Sequence, residues 1–147
     1  MCISSFSIND LLHLQKSWPL PTEKRPIDIV AAGGIVQDAH LPAYRKAGLP
    51  VQGIYDVLPE RARELAQQFE IPSVYESLEQ AVSQGNVIDL ATPPDAHYKV
   101  LQKIPDGSSV LIQKPMGRNL EDAVRIRDLC RKKNSRQPSI SSSVSVR

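Results

Sequence analysis

Short apolar segments alternate with amphipathic segments along most of the chain. Four apolar runs predict buried strands: Ile27–Ala31, Val51–Tyr55, Val87–Ala91 and Val110–Gln113. Apolar residues at helical spacing predict the helices between and after them: near His40, from Pro59, after Ser77, over His97–Lys103 and over Leu120–Lys133. Ser77 and Asn119 are suited to cap two of these helices. This alternation is typical of a doubly wound parallel sheet, an α/β fold with helices on both faces, in strand order 3-2-1-4-5.

Composition narrows the partners that this 147-residue chain can have. The net charge of +2, the pI of about 8.6 and an aromatic content of 5% give little basis for binding nucleic acid. No apolar run approaches the roughly 20 residues of a membrane span, and the N-terminus lacks the apolar core of a secretion signal. Cys2 and Cys130 have no metal-ligand spacing and are not placed for a disulfide. We therefore expect no nucleic-acid, membrane or metal partner. We also expect the protein to be located in the reducing cytoplasm.

A glycine pair marks the end of the first predicted strand. Gly33-Gly34 lies between a buried strand and a helix, where glycine lets a pyrophosphate approach the backbone N–H groups closely. Of the Gly-x-Gly-x-x-Gly pattern only the middle position is a glycine, Gly33, while Ala31 and Val36 stand in the other two places. The sequence therefore predicts either a dinucleotide-binding turn or a plain tight turn between strand and helix.

An acidic residue follows the second strand. Ligands of parallel sheets bind at the carboxyl ends of the strands, so Asp56 should share an edge with the glycine turn. It comes 23 positions after Gly33, near the spacing of an acid that accepts hydrogen bonds from the adenosine ribose. A turn aspartate is the alternative interpretation. A carboxylate here repels a 2′-phosphate and favours NAD(H), although Arg61 and Arg63 keep NADP(H) open.

Three further candidates follow the last two strands. Lys114 precedes Pro115, and the proline restricts the backbone of Lys114 to an extended conformation. The Lys114 ammonium could bind the nicotinamide ribose or a substrate hydroxyl. The alternative is an ordinary solvated lysine. Thr92-Pro93 forms a stiff turn that either packs beside the cofactor or only ends the strand. His97 could titrate near neutrality as a functional group, but we favour the alternative, a surface or capping histidine. We interpret His40 as structural.

Over about residues 26–134 the order and spacing of these motifs resemble the N-terminal nucleotide-binding domain of the glucose-fructose oxidoreductase and inositol dehydrogenase family (Gfo/Idh/MocA). The resemblance rests on four segments: Ala32-Gly33-Gly34-Ile35-Val36 with Ala39-His40-Leu41-Pro42-Ala43-Tyr44, Tyr55-Asp56, Ala91-Thr92-Pro93-Pro94 with His97, and Gln113-Lys114-Pro115-Met116-Gly117. The sequence departs from the family pattern at Gln113, where glutamate is usual, and at Ala31 and Val36.

The resemblance implies an NAD(P)-dependent oxidoreductase acting on a sugar, cyclitol or related alcohol or carbonyl substrate. Lys114 occupies the place of the lysine in the family's Glu-Lys-Pro motif and is the implied catalytic residue. The implied cofactor contacts are Gly33, Gly34, Ile35, Asp56, Thr92, Pro93, His97 and Lys114.

The segments outside the domain carry less information. Residues 1–26 form a lead-in segment with one short helix predicted over Ile8–Lys16, and residues 27–134 form the dinucleotide-binding domain. Residues 135–147 form an irregular serine-rich tail, which is either a flexible polar segment or, as we favour, a frameshifted reading of the family's next strand.

Family members continue into a second α+β domain that supplies substrate contacts and proton transfer, and this sequence has no counterpart of it. We therefore expect a truncated chain with little turnover alone, and a homo-oligomer only with the missing domain. The alternatives are a non-catalytic dinucleotide-binding module that signals to a partner protein, or an inactive truncated product.

Overall fold

The computed structural model describes residues 21–133 and the short strand Ser139–Ile140. Six parallel strands form one sheet in the order β3-β2-β1-β4-β5-β6. The strands are β1 (Ile27–Val30), β2 (Val51–Tyr55), β3 (Ser73–Val74), β4 (Val87–Leu90), β5 (Val110–Ile112) and β6 (Ser139–Ile140). The predicted doubly wound α/β fold with strand order 3-2-1-4-5 is confirmed, and β6 extends it by one strand.

Helices connect the strands and cover the sheet. They are α1 (Leu41–Ala47), preceded by one π-helical turn (Val36–His40), α2 (Pro59–Phe69), α3 (Leu78–Val82), α4 (Pro94–Lys103) and α5 (Leu120–Lys132). Two predicted caps are confirmed: the Ser77 hydroxyl accepts the Gln80 N–H at 3.1 Å, and the Asn119 amide oxygen accepts the Asp122 N–H at 2.9 Å. None of the helices in the described part of the chain is long and apolar enough to cross a membrane.

The apolar core lies on both faces of the sheet because successive strand residues point to opposite sides. On one face Ile29 of β1 packs with Val36, Leu41 and the buried side of α2. On the other face Val30 packs with a cluster that includes residues of α3, α4 and α5. Burial on both faces explains why the strands read as nearly continuous apolar runs.

The structure corrects several predicted boundaries. The first helix begins at Gly34, six residues before the predicted start near His40, because the Gly33 carbonyl already accepts the N–H groups of Val36 and Gln37. The strand β3 has only two residues, too few for a readable period. The tail was expected to contain no strand, yet Ser139–Ile140 pairs with β5. The predicted helix over Ile8–Lys16 lies outside the described residues.

The strand register aligns the carboxyl ends of the central strands. Val30 pairs with Tyr55 on one side and Leu90 on the other, and Leu90 pairs with Ile112. The segments that follow these four residues therefore emerge at the same edge of the sheet.

Candidate functional site

The turn after β1 is fixed to the turn after β2 by Asp56. One carboxylate oxygen of Asp56 accepts the Ala32 N–H at 2.6 Å, and the other accepts the Leu58 N–H at 2.8 Å. Ala31, which stands where the dinucleotide pattern has its first glycine, has φ of 108°. This region of backbone space favours glycine, so the chain keeps a glycine-like turn with an alanine in it.

The two glycines leave open space where a side chain would stand. A Cβ built on Gly33 would meet no atom within 4 Å, and one on Gly34 would only approach the Asp38 carboxylate at 3.9 Å. The described part of the chain therefore does not require glycine here for its own packing. Ile35, the next residue, is 57% exposed although it is a large apolar side chain.

A cavity of about 660 Å³ lies at the same edge, between β2, α3 and α4. It brings together three of the candidate residues, Asp56, Thr92 and Pro93, and Ala31 also lines it. Its volume falls in the usual range for small-molecule sites. The remaining candidates lie outside its lining: Gly33, Gly34, Ile35, His97 and Lys114.

Thr92, which lines this cavity, carries a polar group without a hydrogen-bond partner among the described residues. Its hydroxyl oxygen is buried and makes no hydrogen bond to any residue that the structure describes. A buried hydroxyl without a hydrogen bond costs free energy, so such groups commonly mark the position of a ligand or an ordered water.

Charged residues also line the cavity. Glu76, Glu79 and Asp95 contribute carboxylates, and Lys99 and Lys103 contribute ammonium groups. Lys103 donates to Glu79 at 2.9 Å, and this hydrogen bond lowers the pKa of Glu79 below its ordinary value. The ammonium of Lys103 is thereby already partnered within the chain.

His97 is buried, so its interpretation as a surface or capping histidine is wrong. Its Nε2 lies 2.8 Å from the Thr92 carbonyl oxygen, and its Nδ1 lies 3.3 Å from the Met116 carbonyl oxygen. The helix α4 begins at Pro94, three residues earlier than predicted, so His97 lies within the helix and shares its buried side with Leu101, four residues on. His97 thus ties the turn after β4 to the segment after β5 through backbone contacts.

Lys114 lies on the exposed side of the same edge. It follows β5 and joins Pro115 through a cis peptide bond. Within residues 21–133 its ammonium makes no hydrogen bond or ion pair. Its charge is therefore available to a ligand.

One buried polar cluster was missed by sequence reasoning. Asp89 of β4 is fully buried and contacts His40, Tyr44 and Gln113. The signal that could have found it is a carboxylate within an apolar strand, Val87-Ile88-Asp89-Leu90, where a buried charge needs donors. Burial and the neighbouring Asp89 carboxylate together raise the pKa of Tyr44 well above its ordinary value, so its hydroxyl stays a proton donor.

Comparison with known proteins identifies the family. Residues 27–138 match an oxidoreductase family with an NAD-binding Rossmann fold, Gfo/Idh/MocA. The chain belongs to this family. The resemblance inferred from the motifs is confirmed, and the described fold is the NAD-binding Rossmann domain of Gfo/Idh/MocA oxidoreductases.

A curated relative and two solved structures illustrate the match. Over 102 residues the chain is 32% identical to a Salmonella typhimurium protein that carries the name oxidoreductase YceM, covering 68% of this chain and 33% of that protein. A levoglucosan dehydrogenase solved with NADH and levoglucosan has 23% identity and a TM-score of 0.69, with 81% of this chain and 35% of that chain covered.

The 3-ketoreductase KijD10 from Actinomadura kijaniata, solved with NADP and TDP-benzene, has 18% identity and a TM-score of 0.63. The match covers 77% of this chain and 36% of that chain. At these identities the structures support the fold. The chain spans about a third of the length of the curated relatives it matches.

Features of this edge fit a nicotinamide dinucleotide, the cofactor type of the family. Gly33 leaves room for a ligand against the backbone. Asp56 and Thr92 both line the cavity, and the buried Thr92 hydroxyl has no hydrogen-bond partner among the described residues. The residues present therefore suit the group that the family binds.

Proposed function

We propose that the chain binds NAD(H) across the carboxyl edge of its sheet, as the nucleotide-binding part of an oxidoreductase acting on a sugar, cyclitol or related alcohol or carbonyl compound. The observation that carries the proposal is the cavity lined by both Asp56 and Thr92, beside which the buried Thr92 hydroxyl has no hydrogen-bond partner among the described residues. Family membership supplies the cofactor class and the type of reaction.

Asp56 is assigned to the adenosine ribose. Each of its carboxylate oxygens accepts one backbone N–H and retains further lone pairs, so the 2′- and 3′-hydroxyls can donate to it. A 2′-phosphate at the same place would put two negative groups together. Of the two lysines that line the cavity, Lys103 is engaged by Glu79, so Lys99 alone of the pair is left to neutralise such a phosphate. We therefore propose NAD(H) as the preferred cofactor.

The pyrophosphate is assigned to the glycine turn. The first N–H groups of a helix have no intrahelical acceptor. Here the helical backbone begins at Gly34, and because Val36 and Gln37 already donate to the Gly33 carbonyl, the N–H groups of Gly34 and Ile35 are the ones assigned to the anion. The space beside Gly33 gives an anion access to those groups. The exposed Ile35 side chain is assigned to cover one side of the bound cofactor.

Lys114 is assigned to the reacting end. When bound, the cofactor accepts or donates a hydride, which is its own chemistry. The Lys114 ammonium, which has no partner among the described residues, would bind the nicotinamide ribose or a substrate hydroxyl and stabilise negative charge there. His97 is assigned to hold the Thr92 turn and the segment after Lys114 in place. We also propose a cytoplasmic location, because this cofactor chemistry uses the intracellular nicotinamide pool.

Titration of the purified chain with NADH and NADPH, followed by nicotinamide fluorescence, tests the proposal. We expect saturable NADH binding and at least about tenfold weaker NADPH binding, since a misplaced charge of this kind costs more than about 1.4 kcal/mol. Asp56→Asn keeps one acceptor oxygen for the turn but removes the negative charge. It should therefore reduce the preference for NADH over NADPH.

Asp28→Asn is the matched control, because Asp28 is a buried strand carboxylate away from the carboxyl edge. It should leave both affinities unchanged. Folded wild-type protein that binds neither cofactor would contradict the proposed function.

A further inference from the structure

The Asp89 carboxylate lies between two segments that carry the proposed cofactor site. It accepts from His40 and Tyr44, which belong to the helical segment that starts at the glycine turn. It also accepts from Gln113, the residue directly before Lys114. Asp89 itself is fully buried in β4. One carboxylate therefore contacts both the pyrophosphate side and the lysine side of the edge.

The two oxygens of Asp89 divide these contacts. Oδ2 accepts from His40 Nδ1 at 2.7 Å and from the Tyr44 hydroxyl at 2.8 Å, whereas Oδ1 accepts from Gln113 Nε2 at 3.2 Å. Because a carboxylate only accepts, all three partners donate to it. Hydrogen bonds to a buried charge are stronger than those between neutral groups.

We propose that Asp89 is a positioning residue, which couples the helix after the glycine turn to the strand end that presents Lys114. The proposal rests on the proposed function, because it assigns Asp89 a role in shaping that cofactor site. Asp89 acts through His40 and Gln113 and does not line the cavity.

This coupling explains why glutamine, and not glutamate, stands before Lys114. A glutamate at 113 would place a second carboxylate within about hydrogen-bond distance of a fully buried one, and two such groups repel unless one takes up a proton. Gln113 supplies an amide donor at that point instead. Asp89 and Gln113 thus form a matched carboxylate and amide pair.

The geometry permits the pair to be exchanged. In Asp89→Asn the amide oxygen can take the place of Oδ2 and accept from His40 and Tyr44, while the amide nitrogen takes the place of Oδ1 and faces residue 113. Combined with Gln113→Glu, that nitrogen donates to the new carboxylate. Asp89→Asn alone should be mild, because the Gln113 amide can turn its oxygen toward the new donor.

The test compares wild type, Gln113→Glu and the double variant D89N/Q113E in NADH titrations. We expect Q113E to weaken NADH binding about tenfold or more, because repulsion between the two carboxylates displaces the segments that Asp89 couples, and we expect the double variant to return within about threefold of wild type. D28N/Q113E is the matched control and should not rescue binding. A double variant that binds as weakly as Q113E, or a Q113E that binds like wild type, would overturn the proposal.

Amide hydrogen exchange separates this proposal from the proposed function. Q113E should speed exchange in residues 36–44 and in residues 113–117, and D89N/Q113E should restore protection in both. If wild type binds no NADH, the proposed function fails, while these exchange rates still decide whether Asp89 couples the two segments. Should Q113E not fold, recovery of fold and binding in D89N/Q113E supports the coupling, and failure of both variants contradicts it.

Discussion

Replacing Ala31 by glycine should stabilise the fold, although it removes a side chain. Ala31 has φ of 108°, a conformation that costs a residue with a Cβ about 1–3 kcal/mol and costs glycine little. Against this gain, glycine increases the backbone entropy of the unfolded chain, which lowers the free energy of unfolding by about 0.4–1 kcal/mol. The difference predicts a net gain of about 1 kcal/mol in the free energy of unfolding.

The hydrogen bonds around the turn should survive this substitution. The Ala31 N–H donates to the Tyr55 carbonyl at 2.8 Å, and the Ala32 N–H donates to Asp56. Both donors belong to the backbone, so Ala31→Gly leaves them in place. The effect should therefore be confined to the conformational preference of one residue.

Urea denaturation of Ala31→Gly beside Ala32→Gly measures the effect. Ala32 is buried and is not among the residues with positive φ, so its replacement should cost about 1 kcal/mol or more. For a domain of this size a gain of 1 kcal/mol raises Tm by about 3–6 °C. If both variants lose stability to the same degree, Ala31 carries no backbone strain and the reasoning is wrong.

Three more predictions concern single residues. Burial raises the pKa of Asp28, although hydrogen bonds from Tyr75 and Asn86 oppose this, so the folded state holds the proton more tightly than the unfolded state. The stability that this group contributes is greatest below its unfolded pKa and is lost as pH rises through its folded pKa. In urea titrations the free energy of unfolding of Asp28→Asn should therefore rise relative to that of wild type as pH increases above about 4. A difference between the two proteins that does not change with pH would contradict this. Gly33→Ala should keep Tm within about 2 °C of wild type, because its Cβ meets nothing within 4 Å, while weakening NADH binding measured by fluorescence; unchanged binding would remove Gly33 from the site. Gly53→Ala should destabilise by about 1–3 kcal/mol in denaturation, because its Cβ would overlap the Tyr75 ring, and an unchanged midpoint would show that the ring can move aside.

The fold could be predicted from sequence because burial leaves a readable pattern. Strands covered on both faces read as apolar runs, and the helices between them show one apolar face. The strands β3 and β6 have two residues each and carry no period. The start of a helix is less readable, since Gly34 and Pro94 lie in turns by composition but within helices in the structure.

The candidate site was predicted only in part, for a related reason. Gly33, Asp56, Thr92 and Lys114 follow strands, so topology alone places them at one edge. The burial of His97 was missed because the prediction put it at the start of the helix, whereas α4 begins three residues earlier and His97 lies within it, on the buried side with Leu101. The role of Asp89 depends on partners 49, 45 and 24 positions away, which no local pattern records.

The two backbone hydrogen bonds of Asp56 have a consequence for changing cofactor preference. A substitution that removes its charge to admit a 2′-phosphate also takes an acceptor away from Ala32 or Leu58. In the proposed site, cofactor selectivity and the shape of the glycine turn are therefore linked through the Asp56 side chain. We expect a shift toward NADP(H), in evolution or in the laboratory, to require a second substitution that supplies the lost acceptor. A single substitution at position 56 should destabilise the glycine turn more than it improves NADP(H) binding.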